Sequence, residues 1–376
     1  HQSSAAPPWA DVYACDADTN LSRAEAYRDG SLYGIDAASV FAVRCLDPQP
    51  GDRVLDLCCA PGAKLCVAAD AVEPGGEAVG VDVAEHRLAA CRTVVLKYGA
   101  TNARLSCGDG VQWSPRGAMW LDMAPPPRTR GERAQKKRRL AEAAKIQAAA
   151  ALDSAEVSSA GGEGTTSTVT SGRTDAHGAG TTTMDDLFDR VLVDAECTHD
   201  GSLRHIEKYR TQWGWATLGE RVPWVRQQEE LHRLQSALLA NGFRLLREGG
   251  VLIYATCSLC RRQNEDIVER FLELEPSAAL SPLPLRLACV AVPPSSWTAP
   301  SEEAGPHARH RSLNGAELGA PARPSLLESS GPLGADGRYC TARFDPAVSG
   351  TSGLFLARFV KCSSRSLPAL SAGVES

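Results

Sequence analysis

The stretch from Val54 to Lys64, Val-Leu-Asp-Leu-Cys-Cys-Ala-Pro-Gly-Ala-Lys, restricts the fold of this chain more than any other. The apolar run over 53–57 reads as a short buried strand, Ala60-Pro61-Gly62 breaks it, and a helical pattern begins at Ala63. A strand that turns directly into a helix is the unit of a doubly wound α/β sheet. In such a sheet ligands lie beyond the carboxyl ends of the strands, against the helix N-terminus that follows. Pro61 suits an irregular start to the helix, and Gly62 lets the backbone come close to a ligand. The N–H groups there can hold a carboxylate. Taken alone, the stretch fits either a nucleotide-like cofactor or an ordinary strand ending in a Cys/Gly-rich turn. Neither a Walker A loop nor G-x-G-x-x-G occurs anywhere in the chain.

The elements that follow repeat the pattern. A helical face upstream carries Val40, Ala42, Val43 and Leu46, starting from Asp36. A second strand over 77–81 ends in Asp82, where a carboxylate is placed either to bind ribose hydroxyls or to face the dipole of the next helix. That helix shows Leu88, Cys91, Val95 and Tyr98 on one face and stops at Gly99. A third strand over 103–107 runs into Gly108-Asp109-Gly110, and Asp109 can reach an adenine edge or cap its turn. A fourth strand, 191–193, closes with Asp194-Ala-Glu-Cys197. A long helix with Leu231, Leu234, Leu238 and Leu245 is expected to stop at Gly249-Gly250, before a fifth strand over 251–255 that ends in Thr256-Cys257-Ser258. One more helix carries Ile267, Val268, Phe271 and Leu272; a sixth strand is expected over 285–292. A last strand over 353–360 reads as antiparallel, at or near the sheet edge.

Two stretches lack the apolar residues a core needs. They set the expected layout: an extension over 1–32, one domain over 33–362 interrupted at about 114–184 and 293–337, and a tail over 363–376. The chain opens with His1 rather than Met, as a fragment of a longer protein would. The formal net charge of −5 carries no global basic signal, so contact with nucleic acid must come from local patches. One such run, 128–145, holds eight Lys or Arg, and reads either as an RNA-gripping arm or nuclear localisation signal, or as a solvated helix. Trp213 and Trp215 near Arg210 can stack an RNA base or pack under a lid. Thirteen cysteines, thinly spread, are not a disulfide framework and point to a reducing compartment. No apolar run is long enough to cross a membrane.

Cys197 and Cys257 each follow a buried strand, and in a parallel sheet both strands end on the side of Pro61-Gly62. Two thiols, Asp194 and a cofactor pocket would then converge. Cys257 and Cys260 have no second ligand pair near them, which disfavours a metal.

With these residues in view, the chain resembles the Sun (Fmu-like) family of RNA cytosine-5 methyltransferases. Asp56-Leu-Cys-Cys-Ala-Pro-Gly-Ala-Lys64 is similar to the family's D-x-C-A-A-P-G-G-K, Asp194-Ala-Glu-Cys197 to its D-A-P-C, and Thr256-Cys257-Ser258 with Asn264-Glu265 to its T-C-S block and downstream N-E. The lead-in from Tyr33 to Ser39 and the closing run from Ser352 to Ala357 also match. The resemblance implies a Rossmann-like class I methyltransferase fold, mostly parallel with an antiparallel last strand. It implies S-adenosylmethionine as cofactor, contacted by Cys59, Ala60, Pro61, Gly62, Ala63, Lys64, Asp82, Arg87, Asp109 and Asp194. It implies methyl transfer to C5 of an unpaired or flipped cytosine in tRNA or rRNA. Cys257 would be the nucleophile that adds to C6, Cys197 would assist product release, Asp194 would hold the base near N3 and its amino group, and Lys64 would line the pocket. A monomer is expected, in the nucleus or nucleolus rather than the cytoplasm or mitochondrion. The chain departs from the family at Glu196, in place of Pro, and at Thr198-His199-Asp200, in place of a Ser-Gly run. A carboxylate at Glu196 should disfavour a thiolate at Cys197. These departures leave a second reading, a non-catalytic RNA-binding or assembly protein on the same fold. A DNA cytosine-5 methyltransferase ranks third, because its usual nucleophile follows a Pro where this chain has Glu196.

Overall fold

The computed structural model describes residues 21–123, 186–284, 340–346 and 351–363. All of them belong to one unit, residues 1–123 with 180–376. The basic run 128–145, the strand expected over 285–292 and the stretch 293–337 lie outside the described residues.

Five parallel strands make the centre of the sheet: β1 (Arg53–Asp56), β2 (Glu77–Asp82), β3 (Ala103–Cys107), β5 (Phe188–Asp194) and β6 (Leu246–Thr256). Their spatial order is β3-β2-β1-β5-β6. The chain therefore builds outward from β1 in one direction and, from β5 on, in the other. The crevice between the carboxyl ends of β1 and β5 is the topological switch point, where such sheets bind ligands. The loop after β1 straddles it: Leu57 N–H donates to Leu192 of β5 at 3.0 Å and Cys59 N–H to Val81 of β2 at 2.9 Å.

Both faces of the sheet are covered, so neighbouring strand residues point into different cores. Val54, Leu192, Ile253 and Ala255 pack toward helix α2 (Ala37–Leu46), whose Ala38, Phe41, Val43 and Leu46 are buried there. Leu55, Val193, Leu252 and Tyr254 pack toward α7 (Gln228–Leu245) and α8 (Glu265–Leu274). Helices α3 (Ala63–Ala71) and α4 (Glu85–Tyr98) cover the β2–β3 wing through Leu65, Cys66, Leu88, Cys91 and Val95. Asp36 caps α2 by accepting from Ala38 N–H at 2.9 Å, and Gly99 (φ +67) ends α4. Two short helices, α1 (Glu25–Arg28) and α5 (Leu203–Lys208), and the single turn α6 (Leu218–Arg221) complete the set described.

Several expectations are corrected. The long helix ends at Leu245, ahead of Gly249-Gly250. Those glycines lie inside β6, where the pairing with β5 slips between Phe188/Leu246 and Arg190/Val251; Gly249, at φ +73, turns the chain through the slip. Residues 119–120, inside the span assigned to the first insert, form β4 (Met119–Trp120), antiparallel to β3. The last strand, β9 (Leu354–Lys361), is antiparallel and near the sheet edge, as expected: it pairs with β6 on one side, while β7 (Ala278–Leu280) and β8 (Thr341–Phe344) pair along its other side. That burial explains the apolar run Leu354–Ala357 that opens it. Among the described residues no helix is long and apolar enough to cross a membrane.

Candidate active site

The cofactor side of the crevice is made mostly of backbone. After β1 the chain turns through Ala60, Pro61 and Gly62 into α3, whose first turn has no side-chain cap. Gly62 sits at φ +103, and a Cβ there would come 2.6 Å from Cys91 Sγ, so only glycine brings this turn so close to α4. Cys59 is buried, with its sulfur 3.7 Å from Cys91 Sγ, and Ala63 opens the helix. Asp82, at the end of β2, is buried; its Oδ1 accepts from Ala84 N–H at 3.0 Å and its Oδ2 lies 3.3 Å from the Arg87 guanidinium. Asp109 is exposed and caps its own turn, accepting from Val111 N–H at 3.0 Å. Asp56 lies deepest, and burial, followed by the nearby Asp194, pushes its carboxyl up to about 7.

The opposite side is made of side chains from two strand ends. Lys64, in the first turn of α3, donates to Asp194 Oδ2 at 2.7 Å across the switch point. Burial works against the Lys64 ammonium, but Asp194 outweighs it and raises the pKa. Cys197 follows β5, Cys257 follows β6, and their sulfurs are 3.2 Å apart. The two loops are tied together away from the sulfurs. Thr198 Oγ1 donates to Asp200, whose Oδ2 accepts from Leu259 N–H at 2.8 Å. Gln263 exchanges hydrogen bonds with Thr198 in both directions, at 3.2 and 2.9 Å. Asn264, fully buried, accepts from Thr256 Oγ1 at 2.6 Å and donates to the Ser258 carbonyl at 2.9 Å. Gly201 joins three segments: its N–H donates to the Cys257 carbonyl at 3.0 Å and its carbonyl accepts from Gly353 at 2.7 Å. A Cβ on Gly201 would sit 2.8 Å from the Cys257 carbonyl oxygen, so the approach needs glycine.

Glu196 does not act on Cys197 as the sequence suggested. Its side chain is exposed, and its backbone carbonyl is held by Gln235 at 2.8 Å. Next to Cys197 stand Cys257 and His199. The hydrogen bond from Cys257, against burial and then with His199, pulls the Cys197 thiol down to about 6. Cys257 is pushed well above the ordinary thiol range, first by Cys197 and then by burial, with Lys64 opposing. The sulfurs thus titrate as a unit that gives up one proton readily and holds the second.

The structure brings Lys64, Asp194, Cys197 and Cys257 to the switch point, and sets Asp82, Arg87 and Asp109 along the β2–β3 side of the same sheet edge. Sequence reasoning noted Thr198-His199-Asp200 only as departures from a family pattern. It assigned no role to His199, whose Nδ1 is 3.1 Å from Cys257 Sγ, or to Gln263 as a brace. Their spacing to Cys197 and Cys257 was the available signal. Trp215 is exposed and stacks on Tyr209 with ring centroids 5.5 Å apart, while Trp213 lies under Arg221 and Lys208 at 4.6 and 5.0 Å.

Among curated proteins, the ribosomal RNA small subunit methyltransferase B of Salmonella arizonae is 24% identical over 278 residues, covering 73% of this chain and 46% of its own length. That of Salmonella paratyphi B is equally similar over 281 residues. The chain thus spans about half the length of the curated relatives it matches. Among solved structures, PH0851 superposes with a TM-score of 0.52 at 20% identity, covering 91% of this chain and 50% of that one. NSun6 from Pyrococcus horikoshii, solved with SFG, does so with a TM-score of 0.50 at 19% identity, covering 92% and 57%. These two structures support the Rossmann-like class I methyltransferase fold. The model of the 16S rRNA methyltransferase RsmB/F family matches residues 43–123 and 163–293, more than half of the chain, which therefore belongs to that family of S-adenosylmethionine-dependent RNA methyltransferases.

Proposed function

We propose that this chain transfers a methyl group to C5 of a cytosine in RNA, ribosomal RNA being the first class to test, through a covalent bond between Cys257 and C6 of the base. The observation that carries the reading is the pair of sulfurs, 3.2 Å apart, beside the Lys64–Asp194 ion pair at the sheet's switch point. The residues on the cofactor side fit S-adenosylmethionine: an uncapped helix start for its carboxylate, a Gly62 turn that a Cβ would fill, and a buried Asp82 carboxylate for its ribose. When bound, it supplies an electrophilic methyl group.

Cytosine C5 is too poor a nucleophile to take that methyl unaided. The Cys257 thiolate adds to C6, forming an S–C6 bond and moving the C5–C6 π pair toward C5, which becomes enamine-like. Asp194 holds the base near N3 and its amino group, and Lys64 fixes Asp194 in place. After methylation the C5 proton leaves to Cys197, the S–C6 bond breaks, and its electron pair returns to Cys257. The exposed Trp215 and the basic side chains of α5 and α6 lie on one segment between β5 and α7, a surface suited to an unpaired base and its phosphates.

The test is methyl transfer from labelled S-adenosylmethionine to total RNA, comparing the chain with Cys257→Ala. The expected result is label in 5-methylcytosine with the unaltered chain and a loss of roughly a thousandfold or more in the variant. Cofactor binding without label from either protein would remove the catalytic reading and leave an RNA-binding protein on this fold.

A further inference from the structure

His199 has no part in the scheme above, yet it touches both sulfurs. Its Nδ1 lies 3.1 Å from Cys257 Sγ and 3.6 Å from Cys197 Sγ. Its backbone is held at φ +57, a left-handed conformation that disfavours a residue with a side chain and persists only where its surroundings impose it. The surroundings here are the clamps on either side: Thr198 bound to Gln263, and Asp200 bound to Leu259 N–H. The ring is stacked on His205, centroids 4.4 Å apart and planes 8° off parallel, and the Ser202 hydroxyl lies 2.8 Å from His205 Nδ1. The imidazole is therefore fixed by contacts other than the thiols, and it is half-buried, with a path to water.

We infer that His199 is a further catalytic residue of this site, the group that takes the proton of Cys257 and passes it on to solvent. The proton-relay part of this rests on the methyl-transfer reading; the pairing of His199 with Cys257 does not. Cys257 gives its proton to Nδ1, 3.1 Å away, leaving a thiolate beside an imidazolium, with Cys197 as a thiol next to both. When the thiolate forms its bond to C6, its charge is gone and the imidazolium releases its proton to water. Neutral His199 then takes the Cys197 proton while Cys197 takes the C5 proton, the S–C6 bond breaks, and the thiolate–imidazolium pair is restored. The net product of the chain's own groups is one proton in solvent, the one cytosine loses from C5.

Several charged and titratable groups surround the ring. Cys197 and Cys257 face it from the two strand-end loops, and Glu196 and Asp194 act on it from the end of β5. Cys197 and then burial raise the Cys257 thiol, and Lys64, beyond it, opposes them in favour of the thiolate. Burial opposes the imidazolium, but Cys197, then Glu196 and Asp194, outweigh it and raise the His199 pKa. His205, on α5, is pushed down to about 4 by burial, then by His199, Lys208 and Arg204, so it stacks as a neutral ring.

The test needs no RNA. The rate of alkylation of Cys257 by iodoacetamide, read by peptide mass mapping, is followed against pH in the chain, in His199→Asn and in His205→Phe. Asn is chosen because it tolerates the left-handed backbone. Because the two sulfurs titrate as a unit, the expected result is a first inflection of the pair, read at Cys257, below the ordinary thiol value in the unaltered chain, a loss of roughly tenfold in rate near pH 7 in His199→Asn, and little change in His205→Phe. An unchanged profile in folded His199→Asn would overturn the inference. Should that variant fail to fold, the His199 ring is titrated by NMR in the chain and in Cys257→Ser. A fall in its pKa on loss of the sulfur supports the pair, and an unmoved pKa sinks it. A shifted alkylation profile in a protein that methylates no RNA would keep the pair and reject the methyltransferase reading.

Discussion

The two walls of the crevice are built on different principles. The cofactor wall uses consecutive residues: a strand, a turn through Gly62, and the uncapped start of α3, with the Asp82 carboxylate held by the N–H two residues on. The thiol wall uses residues far apart in the chain, joined by side chains: Cys197 to Cys257 across 60 positions, Thr198 to Gln263 across 65. A wall made of backbone tolerates changed side chains and fails when the backbone is forced to move. A wall made of side chains fails one hydrogen bond at a time.

Three substitutions sharpen that contrast. Gly62→Ala should do most damage, because the new methyl meets Cys91 Sγ at 2.6 Å on a backbone at φ +103. A loss of roughly 2–4 kcal/mol is expected, read by chemical denaturation, together with loss of cofactor binding. A folded variant that binds S-adenosylmethionine normally would break the comparison. Asn264→Ala leaves the buried Thr256 hydroxyl and Ser258 carbonyl without that partner. It should lower stability by about 1–3 kcal/mol and slow methyl transfer while cofactor affinity stays near that of the parent; an equal fall in both would mean the walls are not separate. Asp56→Asn should have the smallest effect. The folded-state value of about 7 lies above the ordinary carboxylate value of 3.8, so between these the folded chain keeps a proton that the unfolded chain has released. Stability therefore falls as pH rises from about 4 through 7 and stays reduced above. The variant should flatten that slope and melt higher than the parent at pH 8; parallel melting curves at pH 5 and 8 would exclude it.

The same contrast explains what could be read from the sequence. The cofactor wall was legible because its signals are adjacent: the apolar strand, Pro61-Gly62, the helix from Ala63, and Asp82 at the next strand end. The convergence of Cys197 and Cys257 followed from parallel strand order, but contact between their sulfurs did not, since register is set by pairing along all of β5 and β6. His199 stood out only as a departure, Asn264 only as part of a family match with no contact assigned to it, and Gln263 not at all, because its partner Thr198 lies in another loop. β4, β7 and β8 escaped because two to four residues carry no periodicity. Gly249-Gly250 read as a helix stop when the pair serves a slip in β6. Glu196 suggested a charge beside Cys197, yet the alternation of a strand-end loop turns it outward.

The position of β9 has a consequence for how the site is made during synthesis. β6, which carries Cys257 at its end, has β5 on one flank and only β9 on the other, with Thr256 opposite Phe355. Gly201, behind Cys257, leans on Gly353. A ribosome must therefore deliver the chain through about residue 361 before the nucleophile's strand is enclosed and its loop is braced. A transcript cut short between Glu265 and that strand encodes Lys64, Asp194, Cys197 and Cys257 and still lacks the strand that braces the last of them.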